Sequence, residues 1–231
     1  MSGKLIVLEG IDGSGKSTQY RLLLERLRQE KIDFRSMVFP RYGEESSALI
    51  RMYLGGAFGA RPADVNAFAA ATFFAVDRYA AYKQDWGAYY ESGGLLLADR
   101  YTTSNAVHQG CKVRPEELGG FFDWLYDFEY VRLGLPKPEL VLYLDVDIAT
   151  SLSRMRSREA ATNTRADIHE KDTAYLETCL RTGRLAAAHY GWQTVPFMEN
   201  GRELEIQEKN DRIYELIKKA GLIGAPSSGQ F

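Results

Sequence analysis

The chain predicts an α/β fold, a five-stranded parallel sheet held between two layers of helices. Short apolar runs rich in β-forming residues alternate with longer segments of helical period, the order that builds a parallel sheet covered on both faces. The first apolar run passes directly into a glycine-rich turn and then an amphipathic stretch. Finally, 231 residues of which 45% are hydrophobic suffice for one sizeable core, so a single domain spanning residues 1–231 is expected.

The expected strands are Leu5–Glu9, Arg35–Phe39, Gly94–Ala98, Leu140–Asp145 and Thr194–Met198. Between them a helical period runs over Lys16–Lys31, Ser46–Leu54, Asp64–Ser92, Pro115–Leu133, Ile148–Arg158, Asp172–Tyr190 and Arg202–Ala220. Gly55 to Pro62 and Leu133 to Pro138 are turn-rich connectors, and neither divides the chain into halves that each hold a core. The tail 224–231, "GAPSSGQF", has few apolar anchors and is expected to fray.

Charge narrows the partners. With 29 basic against 31 acidic residues, a formal charge of -2, the chain has no global attraction to polyanions, so no nucleic-acid partner is expected. Leu5–Leu8 is too short for a signal core or a membrane span; no membrane partner and a cytoplasmic location are expected. Cys111 and Cys179 lack a metal-type spacing and read as free packing residues.

The glycine-rich turn carries the chemistry. Gly10-Ile11-Asp12-Gly13-Ser14-Gly15-Lys16-Ser17 matches the phosphate-binding loop G-x-x-x-x-G-K-[ST], and it lies between a strand and a helix as that motif requires. Its glycines let backbone N–H groups converge on an anion at a positive helix end. Gly10, Gly13, Ser14, Gly15, Lys16, Ser17 and Thr18 are the expected nucleotide-binding set, with Lys16 reaching the β- and γ-phosphates of ATP and Ser17 a ligand of Mg²⁺. The bland alternative is a plain strand-to-helix turn.

Further residues gather around that reading. Asp99 and Arg100 end the third strand at the sheet's carboxyl edge, where Asp99 meets the same Mg²⁺ and Arg100 a second phosphate, unless the two are only a strand-ending ion pair. Arg154 and Arg158 share a helical face, and Arg165 follows in a polar stretch; a lid over about 154–171 would bring arginine to the transferring phosphate. A solvated basic face is the alternative for each arginine. Phe74 and Arg78 lie four apart and suit a ring and a guanidinium on one base; the competing reading is core filling and an ion pair.

Taken together, "LIVLEGIDGSGKSTQ", "FPRYG", "FFAVDR", "LLLADRYTTSNAVHQG" and "GLPKPELVLYLDV" resemble the thymidylate kinase family of P-loop nucleoside monophosphate kinases, from about Lys4 to Leu222. The resemblance implies a three-layer αβα sandwich with a helical lid, and transfer of the γ-phosphoryl group from ATP-Mg²⁺ to dTMP. Asp12 then contacts the acceptor's sugar and the loaded phosphate region, Phe74 stacks on thymine, and Arg78 hydrogen-bonds the base. Asp99 becomes the Mg²⁺-associated carboxylate, Arg100 the clamp on the acceptor phosphate, and Phe39 a ring lining the acceptor pocket. Ser104 and Asn105 match positions near the deoxyribose, with Gln109 beside them. A homodimer is also implied.

This chain departs from the family pattern in three places. Arg41 directly follows Pro40, where relatives with Phe-Pro often carry arginine one position later; a contact to the acceptor phosphate is its expected role. His108 stands where an aromatic ring is usual, and stacking, a hydrogen bond and packing all remain open. Position 13 is glycine where some members carry an arginine, so the lid must supply that charge; Arg158 leads among Arg154, Arg158 and Arg165. Two competing functions are a deoxynucleoside kinase, which would need a general base where Phe39-Pro40-Arg41 stands, and a non-catalytic nucleotide-binding switch.

Overall fold

The computed structural model describes residues 2–162, 169, 173–199 and 201–224. Its centre is the parallel sheet: β1 Lys4–Glu9, β2 Arg35–Val38, β3 Leu95–Asp99, β4 Leu140–Asp145 and β5 Gln193–Pro196, in the order β2-β3-β1-β4-β5. The unbroken apolar run Leu5–Leu8 follows from that central place, because β1 has a strand on each side and helices on both faces. Alternation of side chains divides the core in two. Ile6 and Leu8 pack with Leu23 and Leu27 of α1 Lys16–Gln29 and with Ile213 and Ile217 of α9 Ile206–Lys219, whereas Leu5 and Val7 pack with Trp86 and Tyr101. Each fully buried leucine contributes about 1.5–3 kcal/mol relative to an exposed one.

The remaining helices are α2 Ala48–Leu54, α3 Ala67–Ala81, α4 Gly87–Glu91, α5 Thr103–His108, α6 Leu118–Tyr126, α7 Ile148–Thr162 and α8 Thr173–Tyr190. All five expected strands and the seven expected helical segments are present, with differences that have local causes. The expected helix Asp64–Ser92 divides: a wide turn at Tyr82–Trp86 joins α3 to α4, and the backbone at Gly87 comes so near the Tyr82 carbonyl and ring that a Cβ would not fit. The segment Pro115–Leu133 likewise passes from α6 into wide turns over Asp127–Arg132. Helix α5 was not expected, being six residues of mixed polarity without an apolar period. The start of the expected helix Arg202–Ala220 is instead a hairpin, β6 Met198–Glu199 paired with β7 Arg202–Glu203. Asn200-Gly201 is a turn signal that marks it, and Gly201 has φ 75°. Helix α7 runs past Arg158 to Thr162.

Pairing sets the register that matters for function. Leu8 of β1 stands opposite Asp99 of β3, and Val38 of β2 opposite Asp99 on the other side. Beyond that line the backbone N–H of Arg100 donates to the Leu8 carbonyl at 3.1 Å and that of Phe39 to the Asp99 carbonyl at 3.1 Å. The phosphate loop, the Asp99-Arg100 pair and the Phe39-Pro40 turn therefore leave the sheet at one edge, in the crevice where open α/β sheets bind ligands.

Candidate active site

Gly13 and Gly15 adopt φ of 74° and 86°, the left-handed conformation that glycine takes without strain, and Gly15 caps the start of α1. This curls Ile11 to Ser17 around one end of a cleft of about 800 Å³, whose wall also includes Phe39, Tyr42, Asp99, Arg100 and Arg154. Thr18 and Gln19 continue that wall along α1. Lys16 is buried and its Nζ stands 3.5 Å from Asp99 Oδ1; the Ser17 hydroxyl donates to Asp99 Oδ2 at 3.4 Å. Two buried polar atoms here have no hydrogen-bond partner, Asp99 Oδ1 and Ser14 Oγ. A carboxylate oxygen with no hydrogen bond, beside a serine hydroxyl, is a donor set of hard oxygens that suits Mg²⁺. Gly10 lies at the back of the loop, its N–H on Glu9 Oε1 at 2.8 Å.

Arg100 is the hub of the other end. It is one of two non-glycine residues with positive φ among those described, at 68°. That conformation costs about 1–2 kcal/mol, offset by a network of charges on its side chain. Nη2 pairs with Asp12 Oδ1 at 2.5 Å, while Nη1 reaches Glu9 Oε1 and the Gly10 carbonyl, each at 3.3 Å. Nη1 also lies 3.0 Å from His108 Nε2, and because guanidinium only donates, that ring nitrogen is the acceptor. Burial works against the Asp12 carboxylate, but Arg100, with help from Lys16, holds its pKa well below the usual range. Burial likewise opposes the Arg100 charge, and Asp12, Glu9 and Asp99 push its pKa above the ordinary value instead. Burial and the nearby Arg100 drive the His108 pKa far down, keeping the ring neutral. Of the three roles open for His108, the structure gives it the hydrogen bond and a stack: His169 lies parallel to it, centroids 5.8 Å apart at 11°. Burial lowers the His169 pKa to about 3.

Glu9 was missed from sequence. It is fully buried and accepts from Thr103 Oγ1 at 2.7 Å and Ser104 Oγ at 2.6 Å, besides Gly10 and Arg100. The signal was present: an acid closing an apolar strand directly before a phosphate loop has to meet donors. Ser104 is thus held by Glu9. Gln109 is buried and its Oε1 has no hydrogen-bond partner, a carbonyl for a ligand N–H or a water to satisfy.

Phe74 and Arg78 share one face of α3. Phe74 is half-buried and meets Tyr53 edge to face, centroids 6.3 Å apart. Arg78 is 2% exposed and forks onto Glu129, with Nε on Oε2 at 2.7 Å and Nη2 on Oε1 at 2.5 Å. Asn105 Nδ2 donates to the same Oε1 at 2.8 Å. Asp77, also buried, holds Arg41: its Oδ2 accepts the Arg41 backbone N–H at 2.9 Å and its Oδ1 the Nε at 3.3 Å. Phe39, 3% exposed, packs against Tyr101 with centroids 6.0 Å apart. The wall of this cleft takes in Phe39 but not Arg41, Phe74, Arg78 or the α5 residues.

Among the lid arginines, Arg154 on α7 reaches the loop. Its Nη1 donates to the Gly13 carbonyl at 3.3 Å, and Nη2 pairs with Glu203. Arg158 belongs to α7 by its backbone, while its side chain, like the whole of Arg165, lies outside the described residues.

A profile described as thymidylate kinase matches residues 8–204. A thymidylate kinase from Mycobacterium tuberculosis is 34% identical over 192 residues, covering 81% of this chain and 87% of its own. The human thymidylate kinase is 32% identical over 155 residues, 66% of this chain and 65% of its own. A solved thymidylate kinase from Candida albicans superposes with a TM-score of 0.69, covering 97% of this chain and 96% of its own at 20% identity, a likeness of fold. On the profile match and the mycobacterial identity, the chain belongs to the thymidylate kinase family.

Proposed function

We propose that this protein transfers the γ-phosphoryl group of ATP to the 5′-phosphate of dTMP, giving dTDP and ADP. One observation carries the reading: a phosphate loop whose Lys16 stands 3.5 Å from Asp99, beside an arginine, Arg100, that is held by Asp12 and Glu9 in the same crevice. The loop and Lys16 take the donor phosphates, and Arg100 takes the acceptor phosphate. Both reactants are anions, and a phosphate monoester dianion is already a nucleophile, so alignment and charge neutralisation are the protein's task. Glu9 accepts from four donors and has no capacity left to act as a general base, which speaks against a hydroxyl acceptor.

The remaining assignments belong to the same reading. Ser17 and Asp99 would hold Mg²⁺, which when bound neutralises phosphate charge. Arg154, with Arg158, supplies the lid's charge to the transferring group. Asp12 and Ser104 face the deoxyribose, and Phe74 and Arg78 take the base, with Asn105, His108 and Gln109 around them and Arg41 and Phe39 at the acceptor's phosphate side. The chain is one kinase domain; the expected lid over 154–171 begins within α7, and its part beyond residue 162, apart from 169, lies outside the described residues. Exposed apolar side chains on neighbouring helices, Leu49 and Met52 of α2 and Phe68, Val76 and Tyr79 of α3, support a homodimer. No helix among the described residues is long and apolar enough to cross a membrane, and the cytoplasm is the proposed location.

The test is ADP production from ATP and Mg²⁺ with dTMP, dUMP, UMP, dCMP and dGMP offered in parallel. Turnover on dTMP well above the others supports the reading; equal turnover on all, or none, overturns it.

A further inference from the structure

Arg78, assigned to the base, and Asn105, placed beside it, are both held by Glu129. This carboxylate sits in the wide turn after α6 and is fully buried, facing both α3 and α5. Its Oε1 accepts Arg78 Nη2 and Asn105 Nδ2 together, at 2.5 and 2.8 Å, and its Oε2 accepts Arg78 Nε at 2.7 Å. A carboxylate that only balanced charge would need one such contact. The fork fixes the plane of the guanidinium, and the third bond ties α5 to it.

What this leaves over is specific. Nε and one edge of Nη2 are spent on Glu129, while Nη1 has no hydrogen-bond partner among the described residues. Asn105 spends both amide hydrogens, one on Glu129 and one on the Ala71 carbonyl at 3.0 Å, so the face it has left for a ligand is its carbonyl oxygen. Two side chains sharing one carboxylate oxygen therefore offer a donor and an acceptor. A base with a carbonyl beside a ring N–H is complementary to that pair; a 4-amino pyrimidine reverses both partners.

We propose that Glu129 is a positioning residue for base selection, holding Arg78 and Asn105 in the orientations that favour a 4-oxo over a 4-amino pyrimidine monophosphate. The proposal rests on the reading of Arg78 as the base contact.

The experiment compares kcat and KM for dTMP and dCMP, and KM for ATP, in the wild type, Glu129→Gln and Glu129→Asp, after a melting curve on each. Expected for Glu129→Gln is a loss of about 10- to 100-fold in kcat/KM for dTMP, carried mainly by KM. The dTMP to dCMP ratio narrows, the KM for ATP stays unchanged, and Glu129→Asp recovers part of the ratio. A folded Glu129→Gln that keeps the wild-type ratio overturns the proposal while leaving the kinase reading intact. If that variant does not melt cooperatively, Glu129→Asp decides instead: it must narrow the ratio or the proposal falls. A wild type that does not distinguish the two nucleotides removes the base reading, and this proposal with it.

Discussion

The Oγ of Ser151 lies 2.8 Å from where a Cβ on Gly13 would stand, and the Ser151 carbonyl oxygen lies closer still. Helix α7 thus seals the phosphate loop at this point, so that no side chain fits there. Gly13 also has φ 74°. Gly13→Ala should therefore add about 1–2 kcal/mol of backbone strain and push α7 off the loop, lowering the melting temperature and raising the KM for ATP at least about tenfold. A variant with unchanged KM for ATP would contradict this packing.

Since a side chain has no room at position 13, the proposed reading takes the charge on the transferring phosphate from α7. Arg154 donates to the Gly13 carbonyl and pairs with Glu203, which stores it at the loop's mouth. Arg154→Ala is expected to lower kcat by about 10²-fold or more, toward the range known for arginine fingers, with little change in the KM for dTMP. Steady-state kinetics over both substrates separates the two effects.

Asp99→Asn keeps the shape of a side chain that meets both Lys16 and Ser17 but removes its charge. Half-saturation in Mg²⁺ should rise, and kcat should fall by about 10²-fold. A magnesium titration at saturating ATP reads both.

Phe74→Ala removes the ring expected under the base. Loss of one stacking partner is worth about 1–3 kcal/mol, so the KM for dTMP should rise by about 5- to 150-fold while the KM for ATP holds. Phe74→Trp should preserve most of the affinity.

Stability should fall on the acid side of neutrality. An ordinary histidine protonates near 6.5, whereas His169, desolvated by burial, does so at about 3 in the folded chain. Between those values the unfolded chain binds a proton that the native one refuses, so stability is full above 6.5 and is lost as pH falls below it. The slope reaches up to about 1.4 kcal/mol per pH unit. His108 acts in the same direction. Urea unfolding at about pH 5 and pH 7.5 should show His169→Gln losing less stability than the wild type between those values.

The sheet was legible in the sequence because buried parallel strands need unbroken apolar runs, and Leu5–Glu9 and Leu140–Asp145 supply them. The phosphate loop was legible because its backbone demands glycines at fixed places. Helix α5 was not, since its residues are chosen for contacts to Glu9, Glu129 and Arg100 rather than for a helical apolar face. The carboxylates Glu9, Asp77 and Glu129 were missed for a related reason. Each is buried only because a cation or hydroxyl from a distant segment reaches it, Glu129 meeting Arg78 across 51 positions and Glu9 meeting Ser104 across 95. A single sequence shows the charges and not their pairing. Arg78 in particular reads from sequence either as a base contact or as one half of an ion pair, and the structure shows half of its guanidinium committed to a buried partner, Glu129.

The most direct test of the central claim, that the acceptor is a phosphate and not a hydroxyl, is ³¹P NMR of ATP and Mg²⁺ incubated with the protein and either dTMP or thymidine. A phosphate acceptor predicts the paired resonances of dTDP growing in step with ADP from dTMP, and no phosphorylated product from thymidine. Formation of dTMP from thymidine, or inorganic phosphate as the only product in either tube, would contradict it.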